Sequence, residues 1–143
     1  MPLADELRFV DEYVYLLRHR FGTAYDFRTE LSADVDAAGL LVVPGKVQLL
    51  VENAIKHNAG DEDVPLLITI GATATSLTVA HPRRPKRTAI DSLGTGLANL
   101  RERYRLLTQQ EIAVTDTAAT FAVTVPLMAQ ARSAAYQFWA ATA

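Results

Sequence analysis

The chain has 143 residues, half of them apolar, a net charge of −2 and no cysteine. That is one domain's worth of chain with enough apolar material for an ordinary core. It excludes disulfides and thiolate metal sites, and argues against a dedicated nucleic-acid binder, which is usually basic. No apolar run approaches the ~18 residues a membrane helix needs, and the first residues carry no basic-then-apolar signal pattern.

Taken in chain order, Leu3, Leu7, Val10, Val14, Leu17 and Phe21 alternate spacings of four and three, a heptad seam on a helix that Gly22 closes. Such a seam suits packing on the chain's own domain and pairing with another helix equally well. Ala24 to Leu31 alternates polar and apolar, as a strand does, and Leu40 to Val43 is a second short strand. Pro44 opens a helix running to about Asn58, with Val47, Leu50, Val51, Ala54 and Ile55 on its buried face. Ala59 to Pro65 is an acidic loop, and Leu66–Ala72 with Leu77–Ala80 form a hairpin around Thr75-Ser76. His81 to Leu93 lacks periodicity and is expected to be a loop. Gly94 to Leu107 is helical with Leu97, Leu100, Tyr104 and Leu107 inward. Glu111–Thr115 and Ala119–Val125 are strands, and the alanine-rich stretch from Met128 is a helix or frayed end. Phe9, Tyr13, Phe21, Tyr104 and Phe121 are expected in the core, whereas Tyr136, Phe138 and Trp139 belong to the tail. Strands adjacent in sequence should pair antiparallel, with the helices on one face: a two-layer α/β sandwich.

The chemistry concentrates in two places. On the helix from Pro44, Asn53, Lys56 and His57 lie three and four residues apart, beside the buried stripe, which puts them at the rim of a cleft. An amide oxygen suits a Mg²⁺ that keeps several waters and takes its charge partners from phosphates. Lys56 offers those phosphates a point charge, and His57 a hydrogen bond. The second place is Gly94-Thr95-Gly96-Leu97, opening a helix whose free N–H groups favour an anion. Alone, this is a tight turn into a helix more readily than a phosphate loop.

Together the two segments resemble a family. Gln48-Leu49-Leu50-Val51-Glu52-Asn53-Ala54-Ile55-Lys56-His57-Asn58 is similar to the asparagine box of LytS-type sensor histidine kinases. Gly94 through Tyr104 resembles their second glycine box and following helix. Leu7 through Gly22 resembles the helix that precedes their ATPase domain, and Phe121–Pro126 the closing strand. The likeness spans about residues 3 to 127. It implies the two-layer sandwich of the GHKL ATPase superfamily, with a mixed, mostly antiparallel sheet and helices on one face. It also implies a division into an N-terminal helix (1–22), an ATP-binding domain (23–127) and a tail (128–143).

The resemblance further implies ATP and Mg²⁺ as ligands, Asn53 on the metal, Lys56 and His57 toward phosphates or ribose, and Gly94, Thr95, Gly96 and Leu97 around the phosphates. The implied activity is that of a histidine protein kinase. The implied partners are a second copy through helices in the full-length kinase and a response regulator, with no nucleic acid. The implied place is the cytoplasm, the parent being either soluble or anchored in the inner membrane. Hydrolases of the superfamily carry a water-activating glutamate one turn before the asparagine; here that residue is Leu49.

The chain departs from the pattern at the first glycine box. Where an aspartate and a glycine should follow the strand stand His81-Pro82-Arg83-Arg84-Pro85-Lys86-Arg87. A neutral His81 could accept the adenine amino group's hydrogen bond in the aspartate's place; a protonated one could not. A polar ligand group left unpaired costs about 1–3 kcal/mol, so nucleotide binding is expected to be weak, or absent without a partner domain. The arginine-rich run is by default a solvated loop, with a lid over the triphosphate as the sharper option. His19 is expected to be an exposed helix residue rather than a phosphoacceptor, so the isolated chain should not autophosphorylate. The alternative is a non-catalytic interaction module of the same fold.

Overall fold

The computed structural model describes residues 1–84 and 92–129, with residues 92–95 described by their backbone alone. Helix α1 (Leu3–Phe21) leads into strand β1 (Tyr25–Leu31), the short β2 (Leu40–Leu41), helix α2 (Lys46–His57), strands β3 (Leu66–Ala72) and β4 (Ser76–Pro82), helix α3 (Ser92–Thr108), and strands β5 (Ala113–Asp116), β6 (Thr120–Pro126) and β7 (Met128–Ala129). Five strands form a sheet in the order β1-β3-β4-β6-β5. Only the β1–β3 pair is parallel; β3–β4, β4–β6 and β5–β6 are antiparallel. The architecture is the expected two-layer, mixed, mostly antiparallel sandwich.

The layers follow from alternation. Leu66, Ile68, Ile70 and Ala72 on β3, Leu77, Val79 and His81 on β4, and Phe121, Val123 and Val125 on β6 are buried, while the residues between them are more exposed. The inward set shares one core with Val47, Leu50, Val51, Ala54 and Ile55 of α2 and with Leu100 and Tyr104 of α3. Each such aliphatic side chain, fully buried, contributes about 1.5–3 kcal/mol. On the outer face the hydroxyls of Thr78 and Thr124 meet at 2.7 Å across β4 and β6.

The α1 seam faces this same core: Leu3, Val10 and Val14 are buried and Leu7 and Leu17 pack against them. Gly22 closes the helix at a positive φ of 60°, its N–H donating to the Arg18 carbonyl. Phe9 and Phe21, expected in the core, are 40% and 37% exposed. Phe9 lies off the seam and takes the Arg8 guanidinium over its ring; Phe21 takes that of Arg20 and meets the edge of Tyr25.

Other expectations needed correction. β1 does not pair with the strand next in sequence. It runs parallel to β3, with residues 32–65 as the crossover. β2 leaves the main sheet and pairs antiparallel with β7, so Met128 and Ala129 are strand rather than the start of a helix. Pro2 bridges to Leu41 on the other side. The stretch expected as a loop from His81 to Leu93 is shorter: His81 and Pro82 finish β4 opposite Phe121 and Thr120, and α3 begins at Ser92. Pro44 precedes α2, whose first flanking residue is Gly45. Tyr136, Phe138 and Trp139 lie outside the described residues.

A cleft between the asparagine helix, the end of β4 and the start of α3

Asn53, His57 and Asn58 at the C-terminal half of α2, Val79 and His81 on β4, Leu97 on α3, and Phe121 and Val123 on β6 line one cleft. The helix period places Asn53 and His57 on the same side, as expected from their spacing. A methyl group placed on Gly96 would stand 3.9 Å from Asn53 Nδ2, so the glycine at the head of α3 and the asparagine of α2 face each other directly. Asn53 is half-buried and makes no hydrogen bond to any described residue. Lys56, expected at the rim, is exposed and is not among the residues that line the cleft. Gly94 and Thr95 lie in the first turn of α3.

Asn58 was not singled out as a site residue, and it is a strut. Its Nδ2 donates to the Ala54 carbonyl at 3.0 Å and its Oδ1 accepts from the Arg84 N–H at 3.0 Å, while its own carbonyl accepts from the Tyr25 hydroxyl. It ties the end of α2 to the chain leaving β4. Val79, Phe121 and Val123 could not be assigned to the site from their spacing, since an inward strand residue under a cleft has the same pattern as one in a core.

His81 is buried, with its ring tilted 33° against Phe121 at 5.6 Å between centroids. Its Nδ1 lies 2.8 Å from the Pro82 carbonyl. A carbonyl only accepts, so Nδ1 carries the hydrogen and the neutral ring keeps Nε2 as an acceptor. Burial holds the imidazole below its ordinary titration range; the Pro82 carbonyl works against that shift, and the Arg83 charge adds to it.

Arg83 and Arg84 do not reach over the cleft. Arg83 forms an ion pair with Asp116, and the Arg84 guanidinium donates to the carbonyls of Val64 and Pro65, pinning the acidic loop. Lys86 and Arg87 lie outside the described residues. Glu52 also points elsewhere: it accepts from Gln48 Nε2 at 3.0 Å and lies toward Tyr13 of α1. The free volume enclosed by the lining is about 20 Å³, room for about one water.

No family model and no curated protein matches this sequence. Solved structures do. The chain is similar to the cytoplasmic segment of histidine kinase QseC, with a TM-score of 0.60 and 16% identity over 90% of this chain and 76% of that one. It is also similar to the nucleotide-free catalytic domain of histidine kinase ThkA, with a TM-score of 0.52 and 16% identity over 88% of this chain and 92% of that one. The fold is that of a histidine-kinase catalytic domain. Among the described residues, no helix is long and apolar enough to cross a membrane.

Proposed function

We propose that this chain is the ATP-binding catalytic part of a sensor histidine kinase of the LytS type. The observation that carries the reading is the apposition of the Asn53 amide and Gly96 at a cleft that His57 and His81 also line. The donor set fits a magnesium nucleotide at the mouth. Asn53 would hold the metal through its amide oxygen, and Lys56 and the head of α3 (Gly94, Thr95, Gly96 and Leu97) would face phosphates. His57 would hydrogen-bond a phosphate or ribose oxygen, and His81 Nε2 would accept from an adenine amino group. Mg²⁺, when bound, neutralises charge on the phosphates; the protein's part is positioning. Leu49 stands where a water-activating acid would be needed, which favours phosphoryl transfer to a histidine outside this chain over hydrolysis. A dimer partner, a response regulator and a cytoplasmic setting belong to the same proposal.

The narrow interior supports a second reading. A purine is several times larger than a space for one water, so lining side chains must give way before a base enters. A chain in which they do not would be a non-catalytic module. Titration with Mg-ADP separates the two. At 100 times its Kd a ligand adds about 2.7 kcal/mol of stability, which shows as a rise in melting temperature. The kinase reading expects such a rise, lost in Asn53→Ala. No rise at millimolar nucleotide overturns it in favour of the module.

A further inference from the structure

The N-terminus of α2 is capped in an unusual way. The first N–H groups of a helix have no partner within it, and a Ser, Thr, Asp or Asn just ahead of it normally supplies one. Here that position is Gly45, at a φ of 77° and without a side chain to offer. The cap comes from another helix. Glu6 Oε1 accepts from the Gly45 N–H at 2.9 Å, and Oε2 accepts from Val47 at 3.0 Å and Gln48 at 3.3 Å, across 39 to 42 residues of sequence. Glu6 is only 1% exposed. A carboxylate on the positive end of a helix is favoured by the dipole as well as by the bonds. The third helix reaches the same point. Tyr104 of α3 is fully buried beside Glu6 and the backbone of Val43, yet its hydroxyl makes no hydrogen bond of good geometry. Lys46 at the start of α2 lies within reach of the Glu6 charge on one side and of Arg103 of α3 on the other.

We propose that Glu6 is a positioning residue: by lending α2 its N-terminal cap, it makes the seating of α1 set where Asn53 and the head of α3 stand at the cleft. α2 is a 12-residue helix with no cap of its own, so its axial position is held at one end by a side chain of α1 and at the other by the Asn58 strut. Movement of α1 along its axis withdraws the carboxylate, frees three N–H groups and lets α2 slide. α3, which meets the same carboxylate at Tyr104, carries Gly96 and Leu97 on its first turns. The inference that nucleotide affinity follows α1 rests on the function proposed above; the mechanical coupling does not.

The test is amide NMR on the whole chain, comparing wild type with Glu6→Gln and Glu6→Asp. Gln keeps the size but turns a donor toward the α2 amides; Asp keeps the charge on a stem one methylene shorter. In Glu6→Gln the Val47 and Gln48 amides are expected to exchange about tenfold faster or more. The Asn53 side-chain amide and Gly96 backbone signals should shift with them, and Glu6→Asp should fall between. If Glu6→Gln does not fold, Glu6→Asp against wild type carries the same comparison. Well below the melting temperature, the Mg-ADP Kd should rise about tenfold in Glu6→Gln, as loss of one charge-assisted bond predicts. Signals that change only within residues 45–49, with Asn53 and Gly96 unmoved, overturn the proposal. So does an unchanged Kd in a folded variant whose wild type binds. If the wild type binds no Mg-ADP while the Asn53 and Gly96 signals still shift, the positioning role stands and the nucleotide reading falls.

Discussion

The two ends of α2 obey opposite rules. At its N-terminus a buried carboxylate meets three N–H groups and both of its oxygens are occupied. Near its C-terminus, Asn53 lines a cleft and has hydrogen-bonding capacity that no described residue uses. Side chains of similar polarity thus divide by whether their bonds are already committed. The committed groups hold the fold, Asn58 at the C-terminal end among them; the uncommitted Asn53 amide is available to a ligand.

That contrast can be broken in several places. The largest effect is expected from Glu6→Ala, which strands the buried Val47 N–H and uncaps the half-exposed N–H groups of Gly45 and Gln48, and should cost about 2–3 kcal/mol in a urea titration. A loss under 1 kcal/mol would mean the cap is ornamental. Gly60→Ala, in the loop just past α2, comes next. The added methyl carbon would stand 2.3 Å from the Ala24 carbonyl oxygen and 3.1 Å from Leu66 Cβ, and the same titration should show a loss of about 2 kcal/mol. The pH dependence of His81 is smaller. Its folded imidazole titrates below the ordinary 6.5, so the unfolded chain takes up the proton first. Its contribution is therefore complete above about pH 6.5 and is lost as the pH falls below that value. Melting temperatures from pH 8 to 5 should drop at the acid end, and less so in His81→Gln. Tyr104→Phe removes a buried hydroxyl that lacks a satisfying bond, and should leave stability unchanged or raise it by up to about 1 kcal/mol. Asn53→Ala should be the quietest, within about 0.5 kcal/mol, because the amide supports nothing in the fold.

Much of the architecture was legible because it is written in local periods. The 3-4 spacing of α1, the apolar stripe of α2 and the alternation through β3, β4 and β6 all became elements close to their expected bounds. Pairing between distant segments was not. Nothing in Tyr25–Leu31 announces that it will lie parallel to Leu66–Ala72, and Leu40–Leu41 reads like any short sheet strand although its partner is Met128–Ala129. Phe9 misled because aromatic bulk resembles core, and the helix turned it outward beneath Arg8. The spacing that placed Asn53 and His57 at a cleft rim was readable from α2 alone, whereas the approach of Gly96 to Asn53 needed the fold. Glu6 was invisible for a plain reason. Its partners are main-chain amides, which leave no residue type to recognise, and an acid in the first turn of a helix is common.

The parallel pairing of β1 with β3 has a kinetic consequence. Residues 32–65, with α2 among them, form the loop that the seven-residue register Tyr25–Leu31 against Leu66–Ala72 closes. Closing that loop is slow compared with zipping the β3–β4 hairpin. Until that loop closes, β3 keeps one edge unpaired and open to pairing with neighbouring chains.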